Sequence, residues 1–146
     1  MAPHDIFQGY AGELTPKEAW ALLSAHRDAQ LVDVRTNVEW TFVGVPDLSA
    51  LDRQTHCLEW QTYPAMATNP AFAAQTDAAL HGRKDAPVLF LCRSGARSRA
   101  AACAMTAAGY TKAYNITDGF EGPMDAHGHR GSISGWKACG LPWKQT

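Results

Sequence analysis

Two periodicities alternate along the chain. Short continuous apolar runs are bounded by polar or glycine-bearing turns, and between them apolar residues recur every three or four positions. Leu31 and Val32 with Val34, and Val88-Leu89-Phe90-Leu91, are apolar on successive positions, as strands buried on both faces require. Ala19, Leu22 and Leu23 recur at helical spacing behind Thr15-Pro16-Lys17-Glu18. There Thr15 can cap, Pro16 suits the first helical position and Glu18 completes a capping box. This predicts a helix to about His26 and then a strand over Gln30 to Val34. A polar turn at Arg35-Thr36-Asn37 leads into one helical turn, Asn37 to Trp40. Cys57 to Trp60 reads as a short strand, Pro70 to Leu80 as a helix ended by Gly82, and Val88 to Leu91 as a strand. Ser98 to Ala108 is an alanine-rich helix stopped by Gly109, and Lys112 to Ile116 is a last strand.

Strands alternating with helices predict an α/β fold: a central parallel sheet of about five short strands with helices on both faces. Ligands of such sheets sit beyond the carboxyl ends of the strands, where Asp33, Arg35 and Cys92 fall. Asp118 to Gly135 holds five glycines and reads as a long surface loop, either a solvated connection or a lip over that edge. At 146 residues the chain is expected to be one domain, with 1–13 and 143–146 peripheral.

Composition excludes more than it proposes. With 46% hydrophobic residues, 18% charged and a formal net charge of -1, there is no basic excess to point to nucleic acid. No apolar run approaches the roughly 18 residues of a membrane span. Met1 to Ile6 has neither a basic leader nor a hydrophobic stretch, so a cytoplasmic location is expected. The four cysteines, 35, 11 and 36 residues apart, contain no Cys-x-x-Cys pair, which weakens zinc-finger and thioredoxin-like readings. His127 and His129 form the one close histidine pair and have no third ligand nearby in sequence, so neither a metal nor another cofactor is expected.

Cys92 changes the picture. It ends a buried strand and opens Cys92-Arg93-Ser94-Gly95-Ala96-Arg97-Ser98, a turn into a helix. The first helical turn has backbone N–H groups without intrahelical partners and carries positive dipole charge, a setting that favours an anion. Gly95 permits a positive φ, Ser94 and Ala96 leave the backbone uncovered, and Arg93, Arg97 and Arg99 add fixed charge. Such surroundings commonly convert a thiol to a reactive thiolate, and that is the state expected here. Cys103, within the alanine-rich helix, and Cys57 and Cys139 lack an arginine-rich loop and read as structural.

Together, Leu31-Val32-Asp33-Val34-Arg35 with Glu39, the Cys92 to Ser98 loop, the turn Asp118-Gly119-Phe120-Glu121-Gly122, and Gly135-Trp136 with Gly140-Leu141-Pro142 resemble the single-domain sulfurtransferases of the rhodanese family. The resemblance covers Thr15 to about Pro142. It implies a rhodanese-like fold and a Cys92 that takes a sulfane sulfur from a small anionic donor such as thiosulfate. Cys92 would pass that sulfur, as a persulfide, to cyanide, a thiol or a protein acceptor. Arg93, Ser94, Gly95, Ala96, Arg97 and Ser98 would bind the substrate, and Asp33, Arg35 and Glu39 would support the loop, a carboxylate anchoring its arginine. Read from local spacing alone, Arg35 and Glu39, four apart, form a weak helical ion pair instead. The chain departs from the family where Gly44-Val45-Pro46-Asp47-Leu48 stands in place of Gly-His-Ile.

Two other functions compete. A cysteine phosphatase also cradles an oxyanion at a helix N-terminus, but it places arginine six residues after the cysteine, where this chain has Ser98 and arginines stand at five and seven. A persulfide relay or a regulatory binding module without thiosulfate turnover would share the fold; a module that only binds has no use for a cysteine among arginines.

Overall fold

A computed structural model describes residues 9–145. The elements in chain order are β1 (Gly12–Leu14), α1 (Pro16–Ala25), β2 (Gln30–Asp33), α2 (Asn37–Phe42), β3 (Val45–Pro46) and a 3-10 turn (Ser49–Leu51). Then come β4 (His56–Cys57), β5 (Gln61–Thr62), β6 (Ala67–Thr68), α3 (Phe72–Ala79), β7 (Val88–Leu91), α4 (Ala96–Ala107), β8 (Ala113–Ile116) and β9 (Trp143–Lys144). Five strands form one sheet in the order β1-β8-β7-β2-β4, every pair parallel. The expected sheet of five short parallel strands is therefore present. The two most apolar strands, β7 and β2, lie at its centre, where both faces are covered.

Alternation along β7 separates two cores. Val88, Phe90 and Cys92 face Phe72 of α3 and Ala101, Ala102 and Met105 of α4. Leu89 and Leu91 face Ala19 and Leu23 of α1, together with Leu48, Phe120 and Trp136. The alanines of α4 allow it to lie close against the sheet.

Several boundaries differ from the expectation. β1 pairs with β8 from Gly12 to Leu14, so residues 12 and 13 belong to the sheet edge and are not peripheral. Residues 1–8 lie outside the described part. The strand expected over Cys57 to Trp60 is only His56–Cys57, although the Leu58 and Trp60 N–H groups still bond Asp33 O and Val34 O at the end of β2. The Gly-rich span after Asp118 carries no helix, but it is not merely a surface connection. Its Phe120 and the following Trp136 are fully buried on the second core. Among the described residues, no helix is long and apolar enough to cross a membrane.

Candidate active site

β7 ends at Leu91, and the chain turns at once into α4, leaving Cys92 at the carboxyl edge of the sheet with 2% exposure. The helix starts at Ala96, two residues before the expected Ser98, because its N-cap is Gly95 at φ 120°. No side chain caps it. The N–H of this N-cap residue donates to Cys92 Sγ at 3.1 Å, which seats the sulfur at the helix N-terminus. Ser98 Oγ, fully buried, lies 3.2 Å from the same sulfur. Of the remaining loop residues, Arg93, Ser94 and Ala96 are exposed and Arg97 is half-buried.

The three arginines differ in kind. Arg97 is held by Glu39 through two parallel bonds, NH1 to Oε1 at 2.7 Å and NH2 to Oε2 at 2.9 Å, the fork geometry of a strong charge-assisted pair. Arg99 turns away to Glu13 and Tyr10 on the surface. Arg93, exposed next to Cys92 in sequence, has no side-chain hydrogen bond or ion pair among the described residues.

Glu39 is positioned by its own helix. Thr36 caps α2, and the Thr36 N–H and hydroxyl donate to Glu39 Oε1 at 3.1 and 3.0 Å. Burial works to raise the Glu39 pKa, but the bonds and charge of Arg97, with the Thr36 donors, outweigh it and bring it down to about 2. Burial likewise opposes the charge on Arg97, and Glu39 more than offsets it, with smaller contributions from Cys92 and Asp33.

Arg35 does not pair with Glu39. Its Nε and NH2 bond the Asp33 carboxylate at 3.0 and 2.7 Å, NH2 also donates to Gly44 O, and the guanidinium stacks 4.2 Å over Phe120. The reason is geometric: Asp33 ends β2 pointing at the second core, and Arg35, two residues on, shares that side. Asp33 and Arg35 are both fully buried, and their contact with the loop runs through Phe120, whose N–H donates to Cys92 O at 2.8 Å. Glu121 and Gly122 N–H groups both bond Arg93 O, so the span after Asp118 straps down the loop from behind. Beside Glu39, Arg93 and Arg97 opens a cleft of about 370 Å³, walled by Val38, Tyr63 and Met66.

Sequence reasoning marked the Asp118 to Gly122 turn but not its bonds to the loop, and it missed Asn115, a fully buried polar residue on β8 whose Oδ1 lies 2.5 Å from Ser98 Oγ. An Asn in an otherwise apolar strand was the available signal. Of the other cysteines, Cys57 is exposed at the surface, and its pKa is pushed up to about 12, by desolvation first and by the Asp33 charge second, which favours the neutral thiol. Among the described residues, no cluster of three or more His, Cys, Asp or Glu side chains could hold a metal ion.

Comparison with known proteins agrees with this fold. A family model for the STR4 middle domain matches residues 11–146. Uncharacterized proteins of Rickettsia rickettsii and Rickettsia prowazekii are 38% and 35% identical over 127 residues, 87% of this chain and 92% of each relative. The crystal structure of Rv0390 from M. tuberculosis is similar with a TM-score of 0.85 and 53% identity over 94% of this chain and 99% of that one. The solution structure of the polysulfide-sulfur transferase homodimer from Wolinella succinogenes is similar with a TM-score of 0.59 and 20% identity, covering 98% of this chain and 86% of that chain. At that identity the likeness is one of fold, and it makes the five-stranded α/β arrangement rhodanese-like. The match over nearly the whole chain makes this protein a member of the STR4 middle domain family.

Proposed function

We propose that the protein is a sulfurtransferase that carries a sulfane sulfur on Cys92. The supporting observation is the position of Cys92 Sγ, held at the N-terminus of α4 as acceptor for the Gly95 N–H, with Ser98 beside it and the exposed Arg93 next in the loop. Each feature stabilises negative charge on sulfur, and negative charge moves through every step of the reaction.

The Cys92 thiolate attacks the outer sulfur of an anionic donor such as thiosulfate. The sulfur–sulfur bond of the donor breaks, sulfite departs with the electron pair, and Cys92 is left as an anionic persulfide. A thiolate or cyanide, small or presented by a protein partner, then attacks the terminal persulfide sulfur and returns Cys92 to the thiolate. Arg93 draws the donor's oxygens, and the Gly95 N–H with Ser98 holds the charge on the sulfur. Arg97 acts through its pair with Glu39, which braces the loop; a free phosphate-binding arginine is not available six residues after Cys92, where Ser98 stands. The adjoining cleft falls in the size range of small-molecule sites and leaves room for an acceptor larger than cyanide.

Intact mass after incubation with thiosulfate or inorganic polysulfide is the test. The protein is expected to gain one sulfur atom and release it to cyanide or a thiol, with both steps abolished in Cys92→Ser. A protein that stays at its original mass with both donors removes the proposal. Thiosulfate compared with 3-mercaptopyruvate as donor then separates the donor classes.

A further inference from the structure

Asn115 is the polar exception on an apolar face. Its register beside Phe90 places it on the side of the sheet covered by α4, among Ala113, Phe90 and Cys92. It is fully buried, its Oδ1 is 2.5 Å from Ser98 Oγ, and its Nδ2 has no hydrogen-bond partner. A buried amide N–H left unpaired is costly and rare.

Counting protons gives that orphan a purpose. Ser98 has one hydroxyl proton and three acceptors in reach: Asn115 Oδ1 at 2.5 Å, Cys92 Sγ at 3.2 Å and Gly95 O at 3.3 Å. A separation of 2.5 Å suits O–H···O and is short for N–H···O, so in this arrangement the proton lies on the Asn115 side. Ser98 can then only accept from the sulfur, and the chain of bonds runs from Cys92 S–H to Ser98 O–H to Asn115 Oδ1. An anionic sulfur has no proton to give and needs the Ser98 proton turned toward it. Ser98 Oγ then lacks a donor, and the Asn115 amide supplies one by turning over, which brings the unpaired Nδ2 to Ser98.

We propose that Asn115 is a positioning residue that sets the direction of the Ser98 hydroxyl. It accepts from Ser98 when Cys92 is a thiol and donates to Ser98 when Cys92 is a thiolate or persulfide. This rests on Cys92 being the reacting sulfur. The Ser98 hydroxyl rotates and the Asn115 amide turns without either gaining or losing an atom, the proton that Cys92 sheds on becoming a thiolate passes to solvent, and the Gly95 N–H bonds the sulfur throughout.

Alkylation of Cys92 by iodoacetamide at fixed neutral pH, followed peptide by peptide to separate it from Cys57, Cys103 and Cys139, reads the anionic sulfur without any sulfur transfer. Ser98→Ala is expected to slow it about tenfold, the scale of one hydrogen bond to a charged group, and Ser98→Thr to keep the parent rate. Asn115→Leu is expected to slow it by part of that factor, and the double variant to be no slower than Ser98→Ala alone. Asn115→Leu reacting at the parent rate, or slowing the Ser98→Ala protein by its full factor, would overturn the proposal. Should Asn115→Leu not fold, the unsubstituted protein labelled with ¹⁵N-asparagine decides. Its Asn115 side-chain amide resonance is expected to move when Cys92 is persulfidated by inorganic polysulfide, and a resonance that stays in place contradicts the switch. Failure of the protein to gain sulfur would count against the proposed function, whereas the alkylation rates count only for or against Asn115.

Discussion

At Glu39 one carboxylate closes the capping box of α2 and takes both terminal nitrogens of Arg97 from the helix that follows the sulfur loop. Its folded pKa of about 2 lies below its ordinary value of 4.5, so its stabilising contribution is complete above about pH 4.5 and is lost as pH falls toward 2. With both side chains about one-sixth exposed, solvent screening reduces the contribution to about 2 kcal/mol. Urea unfolding followed across that window is expected to show the decline in the parent protein and a flatter curve in Glu39→Gln, which starts less stable at neutral pH. Equal slopes in the two would show that the pair does not carry the acid sensitivity. The same substitution frees Arg97, which is expected to slow sulfur loading of Cys92 without abolishing it. This partnership could not be fixed from local spacing, because Arg35 stands at the right helical distance from Glu39 and is diverted to Asp33 only by the end of β2.

Where elements meet, the sulfur loop is held between a helix start and the strap formed by Gly119 to Gly122. Gly119, at φ 58°, passes so close that an added Cβ would overlap the Cys92 carbonyl and come within 2.6 Å of Arg93 O. Gly119→Ala therefore meets both a strained backbone and a rigid neighbour, and is expected to cost about 3 kcal/mol. Thermal unfolding would register it, together with faster hydrogen exchange at the Phe120 and Glu121 amides that bond the loop carbonyls. A variant as stable as the parent would mean that the strap yields easily. The sequence made the elements legible where local rules decide. Thr15 and Glu18 form the expected capping box, and the apolar runs of β2 and β7 are the central strands. It misled where a partner distant in the chain decides. α4 begins at Ala96 because Gly95, at φ 120° and bonded through its N–H to Cys92 Sγ, and not a serine, is its N-cap. β1, with one apolar residue, is a strand only because β8 pairs with it. The glycines after Asp118 suggested a surface loop, either a solvated connection or a lip over the Cys92 edge; instead they let the backbone approach Cys92 from behind while Phe120 fills the core.

Across the whole molecule, the second face of the sheet is closed by α1 together with this irregular C-terminal span, and Trp136 is the residue through which the span holds together. The ring is fully buried and meets Trp20 of α1 edge to face at 6.0 Å. Its backbone N–H bonds Gly119 O at 2.8 Å, and its Nε1 bonds Pro142 O at 2.7 Å. One residue thus joins α1, the strap behind Cys92 and the segment leading to β9. Trp136→Ala removes a large buried side chain and one of the two bonds to Pro142 O, which keeps the Asp47 N–H, a loss of about 3–5 kcal/mol and a large part of the stability of a domain of this size. Two consequences should appear together if the span works as one unit. The unfolding midpoint falls, and Cys92 loads sulfur more slowly even well below that midpoint, because the segment loses the ring that anchors it, its backbone bond to Gly119 O weakens and the strap loosens against Cys92 O. Trp136→Phe retains most of the volume and the Gly119 bond, so it is expected to recover the loading rate while still losing the bond to Pro142. Thermal unfolding and sulfur loading measured on the same samples distinguish this from simple loss of core: a Trp136→Ala protein that is less stable but loads sulfur at the parent rate when folded would show that the span covers the sheet without positioning the cysteine.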